Sequence, residues 1–143
     1  MTAALILAVI FTVILLVITA YFFMGSLPLL VLKHDTPLDS RFVRGFFDTY
    51  YLAVMFSAGI AALGYALAGR VIFTVGAIGL ALLATGLRRT IIPKMDLFRT
   101  QIEASEVHAI AGFRRLHMVA ISANLAQLVA IVWSLIAVSL QMK

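Results

Sequence analysis

The sequence predicts an all-α integral membrane protein: four transmembrane helices in an antiparallel bundle, with a cytoplasmic amphipathic helix between the third and fourth spans. Three observations predict it. Of 143 residues, 64% are apolar and only 12% are charged, against roughly 45–50% and about 25% in a soluble domain, and the mean hydropathy is +1.12. Four apolar runs approach or exceed the roughly 20 residues that cross about 30 Å of hydrocarbon. The charged side chains gather at the ends of those runs instead of spreading over a surface. The length suits one domain, residues 1–143.

The first run extends from about Ala3 to Met24, and no charged side chain precedes Lys33. A secretory signal would open with basic residues and hold roughly 7–15 apolar ones. This run has no Lys or Arg before it and is too long, so it reads as a span. Gly25, Ser26 and Pro28 then act as breakers, predicting that Leu27 to Leu32 turns away or lies at the interface. Thr36-Pro37-Leu38-Asp39 is a helix start: a threonine N-cap, proline at the first helical position and an acid facing unpaired amides. The second helix thus begins near Pro37, carries Arg41, Arg44 and Asp48, and is apolar from Thr49 to Ala68.

Gly69-Arg70 leaves room only for a tight turn, so the third run, Val71 to Leu87, pairs with the second as an antiparallel hairpin. Arg88-Arg89 closes it. From Pro93 onward, Phe98, Ile102, Ala109, Phe113 and Leu116 share one side at helical spacing, which predicts an amphipathic helix at the membrane surface. Asp96, Arg99, Glu103 and Glu106 form its solvated face, and His108 has no evident partner there. Gly112 is expected to allow a bend before Arg114-Arg115 introduce the fourth span, about Leu116 to Leu140.

Four spans put both termini on one side. Lys33, Arg41, Arg44, Arg88, Arg89, Lys94, Arg99, Arg114 and Arg115 fall on the opposite side, against Arg70 and Lys143 with the termini. This asymmetry predicts a cytoplasmic basic side and external termini. The basic side is expected to hold anionic lipid headgroups, at about 1 kcal/mol per residue. A sequence pI near 10.1 therefore reflects lipid and not nucleic acid, which would require a basic patch on a soluble face.

The absence of cysteine excludes disulfides, thiolate metal sites and thiol catalysis. There is no phosphate-binding glycine loop, nucleophile elbow or His-Glu-x-x-His, so no catalytic residue and no metal site is expected. Small residues recur every fourth position in each span: Ala4-Ala8-Thr12, Ala58-Ala62-Ala66, Ala77-Ala81-Thr85 and Ala126-Ala130-Ser134. In lipid such ladders are helix contact faces. On the fourth span His117, Asn124, Gln127 and Ser134 share about a third of the helix circumference. Such a stripe faces the bundle interior, either as hydrogen bonds to a neighbouring helix or as a small site for a quinone head or a haem edge. His117, Asn124 and Gln127 are the cofactor-binding candidates, with His34 a further one at the same membrane level; the plainer alternative has both histidines solvated or touching headgroups. Asp48, the acid nearest the hydrocarbon, is expected to pair with Arg44 or with an arginine of the Arg88-Arg89 or Arg114-Arg115 pairs.

The stretch Phe113-Arg114-Arg115-Leu116-His117, continuing to Asn124, resembles small bacterial four-span proteins of unknown function related to transmembrane protein 205. Their last helix opens with Phe-x-x-Leu-His and later carries an Asn. Ile92-Pro93-Lys94-Met95-Asp96-Leu97-Phe98-Arg99 and the Gly25-to-Pro28 segment resemble that family as well. The resemblance implies a four-helix membrane protein, in a bacterial inner membrane, and no particular chemistry. The expected function is a non-catalytic accessory or structural subunit packed on a larger membrane complex, respiratory, photosynthetic or other, with lipids and other membrane subunits as partners. Two alternatives stand beside it: a haem- or quinone-associated redox subunit using His117, and a small-solute exporter acting as a homo-oligomer.

Overall fold

The computed structural model describes residues 2–141, so Lys143 lies outside the described residues. Four helices follow one another, α1 (Ala3–Leu29), α2 (Pro37–Leu67), α3 (Val71–Glu103) and α4 (Val107–Gln141), with no strand among the described residues. Each contains a stretch long and apolar enough to cross a membrane. Consecutive helices are neighbours and α1 closes against α4, leaving α2 and α4 nearly diagonal. Of the four apolar stretches, that of α2 is the most enclosed and that of α3 the least.

Local chemistry sets the helix ends. The Asp39 amide donates to the Thr36 hydroxyl at 3.2 Å, with Pro37 in the first turn, as expected. Gly69, at φ +69°, closes the α2–α3 turn in a conformation that a side chain would strain. α1 buries Leu5, Ala8, Thr12, Leu15, Thr19 and Ser26, spaced by three, four and finally seven residues, which places one seam toward the other helices. Its expected break falls later: Pro28 lies inside α1, which ends at Leu29. Pro28 and Met24, the residue one turn below it, are both exposed, so the missing backbone bond falls on the outer face.

The separate amphipathic helix is corrected. α3 runs unbroken through Pro93 to Glu103, and α4 begins at Val107. Proline removes one helical hydrogen bond, and here Pro93 and Arg89, whose carbonyl would have accepted it, are both exposed. The apolar side read from the sequence is real but faces protein: Ile102, Ala109 and Phe113 are buried, and Phe98 packs against the same core. Gly112 does not interrupt the helix, since α4 is continuous. It makes room for the Phe98 ring, whose nearest atoms would lie 2.5 Å from a Cβ at this position.

Asp48 accepts from Arg88 Nε at 2.8 Å and from Arg44 Nη1 at 3.2 Å, which bears out the expected pairing. Asp96, expected on a solvated face, instead receives the Arg44 fork on both oxygens, at 3.0 and 3.1 Å. The chain Arg88-Asp48-Arg44-Asp96 clamps α2 to the α3 extension. All four side chains are 21–38% exposed, so solvent screens them and the clamp contributes about 1 kcal/mol. Asp96→Ala is therefore expected to lower the thermal midpoint in detergent modestly, by less at high salt. An unchanged midpoint at low salt would show that the clamp contributes nothing.

The small-residue ladders divide. Ala8, Thr12, Ala58, Ala62 and Ala77 are buried inside the bundle, whereas Ala66, Ala126 and Ala130 are exposed and Ser134 is half-buried. The α4 ladder is thus not covered by a helix of this chain.

Candidate functional site

Polar side chains collect along the bundle interior. Thr12, Thr19 and Ser26 recur every seventh residue on α1, as do His117 and Asn124 on α4, and such spacing repeats one face of a helix. Gln127 from α4 and Ser40, Tyr50, Tyr51, Ser57 and Tyr65 from α2 are buried as well. His34 comes from the α1–α2 connection, where it adopts φ +58°, an uncommon conformation for a residue with a side chain.

His34 and His117 are each 0% exposed. His34 Nε2 lies 3.1 Å from His117 Nδ1, and the rings meet edge-on with centroids 5.2 Å apart. Phe113 flanks His34 at 5.5 Å and Phe47 flanks His117 at 5.4 Å. The solvated or headgroup-touching alternative is thereby corrected for both residues. His108 is the contrasting case: it is 74% exposed, and its partner is Glu106 at 3.4 Å.

Two imidazoles in hydrogen-bond contact do not fit a haem between them. Two metal–imidazole bonds of about 2.0–2.1 Å would place the nitrogens about 4 Å apart on opposite sides of the ring plane, and at 3.1 Å no macrocycle can pass. Among the described residues no three His, Cys, Asp or Glu side chains come together as a metal site.

Deeper in the bundle, Tyr50 donates to Gln127 Oε1 at 2.5 Å. Gln127 thus makes the expected bond to another helix, though to α2 across the bundle, whereas neither amide atom of Asn124 finds a partner. Thr19 Oγ1, the Tyr51 hydroxyl, Gln127 Nε2, His34 Nδ1 and His117 Nε2 are also buried without a partner in the chain. At a rise of about 1.5 Å per residue, Asn124 and Gln127 lie roughly 10 and 15 Å beyond His117 along α4. Thr19, Tyr50 and Tyr51 were not singled out from the sequence, although the seven-residue recurrence of Thr12, Thr19 and Ser26 in an otherwise apolar run was a usable signal.

One turn beyond this seam, Leu15, Val54, Ala58 and Ile131 form an apolar layer, each at most 1% exposed. Past it lies a cavity of 220 Å³ lined by Thr12, Tyr65, Gly76, Ala130 and Ser134, with Thr12 Oγ1 and the Tyr65 hydroxyl bonded at 3.0 Å. Ser134 therefore belongs to this cavity and not to the His117 cluster. Gly76, Ala130 and Ser134 also line a groove between α3 and α4, flanked by Trp133.

Burial holds the His34 pKa below its ordinary 6.5, with Arg114 lowering it further; the Leu32 backbone, and after it Asp39 and Asp35, oppose the shift. The folded protein thus favours the neutral ring, and the unfolded chain binds a proton more readily. This contribution to stability is complete above pH 6.5 and is lost as pH falls below it. The thermal midpoint is expected to decline on acidification, and less steeply in His34→Asn, whose amide tolerates positive φ. Equal slopes in the two proteins would remove His34 as the cause. Comparison of the chain with protein-family models, with curated proteins and with solved structures finds no match.

Proposed function

We propose that this chain is an integral membrane protein serving as a non-catalytic accessory subunit, with its α3–α4 face seated against a transmembrane helix of a larger complex. The uncovered groove floored by Gly76, Ala126, Ala130 and Ser134 carries this reading. Lipid offers no hydrophobic drive between helices, so association depends on close backbone approach at small residues. α1 and α2 use several of theirs inside the bundle, while α4 keeps Ala126 and Ala130 on the outside. The basic end, by the positive-inside bias, is the cytoplasmic one.

Gentle extraction at native abundance followed by sizing is expected to show co-migration with other membrane proteins, lost in Ala130→Leu. A clean monomer would overturn the proposal, and a homo-oligomer would favour the exporter. Orientation has its own test. Single cysteines near Gly69 and near Glu103 should label with an impermeant thiol reagent in intact cells only at the Gly69 site, and the reverse pattern refutes it.

A quinone-linked redox subunit is a second reading, favoured by the unpartnered donors Asn124 Nδ2 and Gln127 Nε2, which suit a quinone carbonyl. Quinone co-purifying with the wild type and lost from Asn124→Leu would support it; a preparation free of quinone would not.

A further inference from the structure

The contact between His34 and His117 has a consequence independent of any partner. Neutral imidazole carries one N–H and one bare nitrogen. With Nε2 of His34 and Nδ1 of His117 sharing a proton at 3.1 Å, the two outer nitrogens, His34 Nδ1 and His117 Nε2, must differ. If His34 donates inward, its Nδ1 is bare and His117 Nε2 carries hydrogen. If His117 donates inward, the assignment reverses. Both outer nitrogens are buried and neither has a partner in full hydrogen-bond geometry, the Leu32 backbone lying near His34 and the Ser26 backbone near His117.

We propose that His34 and His117 are a proton relay joining the basic end of the bundle to the buried seam of Asn124, Gln127, Tyr50 and Tyr51, which exchanges protons with that end alone. A proton binds the bare Nδ1 of His34. The shared proton then leaves Nε2 of His34 and bonds to Nδ1 of His117. Finally the N–H bond at Nε2 of His117 breaks and releases a proton to water in the seam. One proton enters, one leaves, and the pair stands in its other tautomer, ready for the reverse transfer. It is an exchange device, balanced without oxidant or reductant.

The surroundings suit this role. Asp35 and Asp39 are the acids near His34, and Arg114 the cation near both rings. The aromatic rings of Phe47 and Phe113 wall the pair, so the bonded nitrogens are the polar route past them. At the far end the layer of Leu15, Val54, Ala58 and Ile131 separates the seam from the cavity of Thr12 and Tyr65. Ionisable groups within a membrane are rare, pair with one another, and mark functional sites of which proton relays are one kind. The relay rests on the membrane-spanning reading and not on the subunit reading, so a protein that extracts alone leaves it standing.

Hydrogen–deuterium exchange of the Asn124 and Gln127 side-chain amides, followed by NMR on protein reconstituted in lipid, tests it. His34→Asn keeps a hydrogen-bonding side chain but cannot take up and pass on a proton near neutral pH. Exchange is expected to slow about tenfold in that variant while overall protection of the helices is unchanged. Adding Ile131→Ser should restore it by admitting water through the apolar layer. An unchanged rate in His34→Asn overturns the relay, and failure of Ile131→Ser to restore it overturns access from one end. The wild type supplies a reading that needs no variant: isotope-labelled histidines should show coupling across a shared N–H···N bond between His34 and His117. Two uncoupled rings would sink the proposal.

Discussion

Gly64→Ala is expected to destabilise the bundle by about 1–3 kcal/mol, the usual cost of overpacking a filled interface. A Cβ at this position would lie 2.9 Å from Ala8 Cβ and 3.0 Å from both the Ala4 carbonyl oxygen and the Ala8 amide nitrogen. Those atoms belong to the α1 backbone or sit directly on it, so no rotamer change relieves the clash and the helices must separate. Separation loosens the Thr12–Tyr65 hydrogen bond one turn away. The control is Gly59→Ala, where nothing lies within 4 Å; there the better helix propensity of alanine should make the change neutral or stabilising. Thermal unfolding in one detergent compares the two. Equal losses would mean that the α1–α2 approach at Gly64 is not what stabilises the bundle.

His34→Ala is expected to cost about 2–4 kcal/mol, combining a cavity beside Phe113 with the loss of a partner for His117 Nδ1. Alanine must also hold φ near +58° without the local hydrogen bonding that Asn or Asp supplies there. His108→Ala, at a side chain 74% exposed, should stay within about 0.5 kcal/mol. If the two variants melt together, the His34–His117 contact contributes nothing to folding.

How much of this was legible in the sequence follows the range of the interactions. The α2 start was readable because Thr36, Pro37 and Asp39 act within one turn. The α3 extension was not, because Pro93 looks like a stop and becomes tolerable only where its orphaned acceptor faces outward. The α4 stripe of His117, Asn124 and Gln127 was readable from helical periodicity alone. Its partners were not: Thr19, Tyr50 and Tyr51 sit in apolar runs where an isolated hydroxyl carries no signal. His34 was the hardest to place, since its burial depends on a positive-φ turn and on a residue 83 positions away. Asp96 was read on its own helix, where its neighbours are i+3 and i+4, while its strongest partner, Arg44, lies on another.

The Arg44–Asp48–Arg88–Asp96 clamp also changes what the basic end offers a lipid surface. Arg44, Arg88 and Arg99 are half-buried beside carboxylates, which leaves Lys33, Arg41, Arg89, Lys94, Arg114 and Arg115 exposed. Of these, Arg114 already donates to the Leu30 carbonyl at 3.3 Å. The free positive charge is therefore concentrated near three places: the α1–α2 connection and the start of α2, the middle of α3, and the first turns of α4. On the membrane-spanning reading proposed above, anionic headgroups should gather there as discrete clusters and not as an even ring, giving the surrounding lipid a composition that varies around the circumference of the protein.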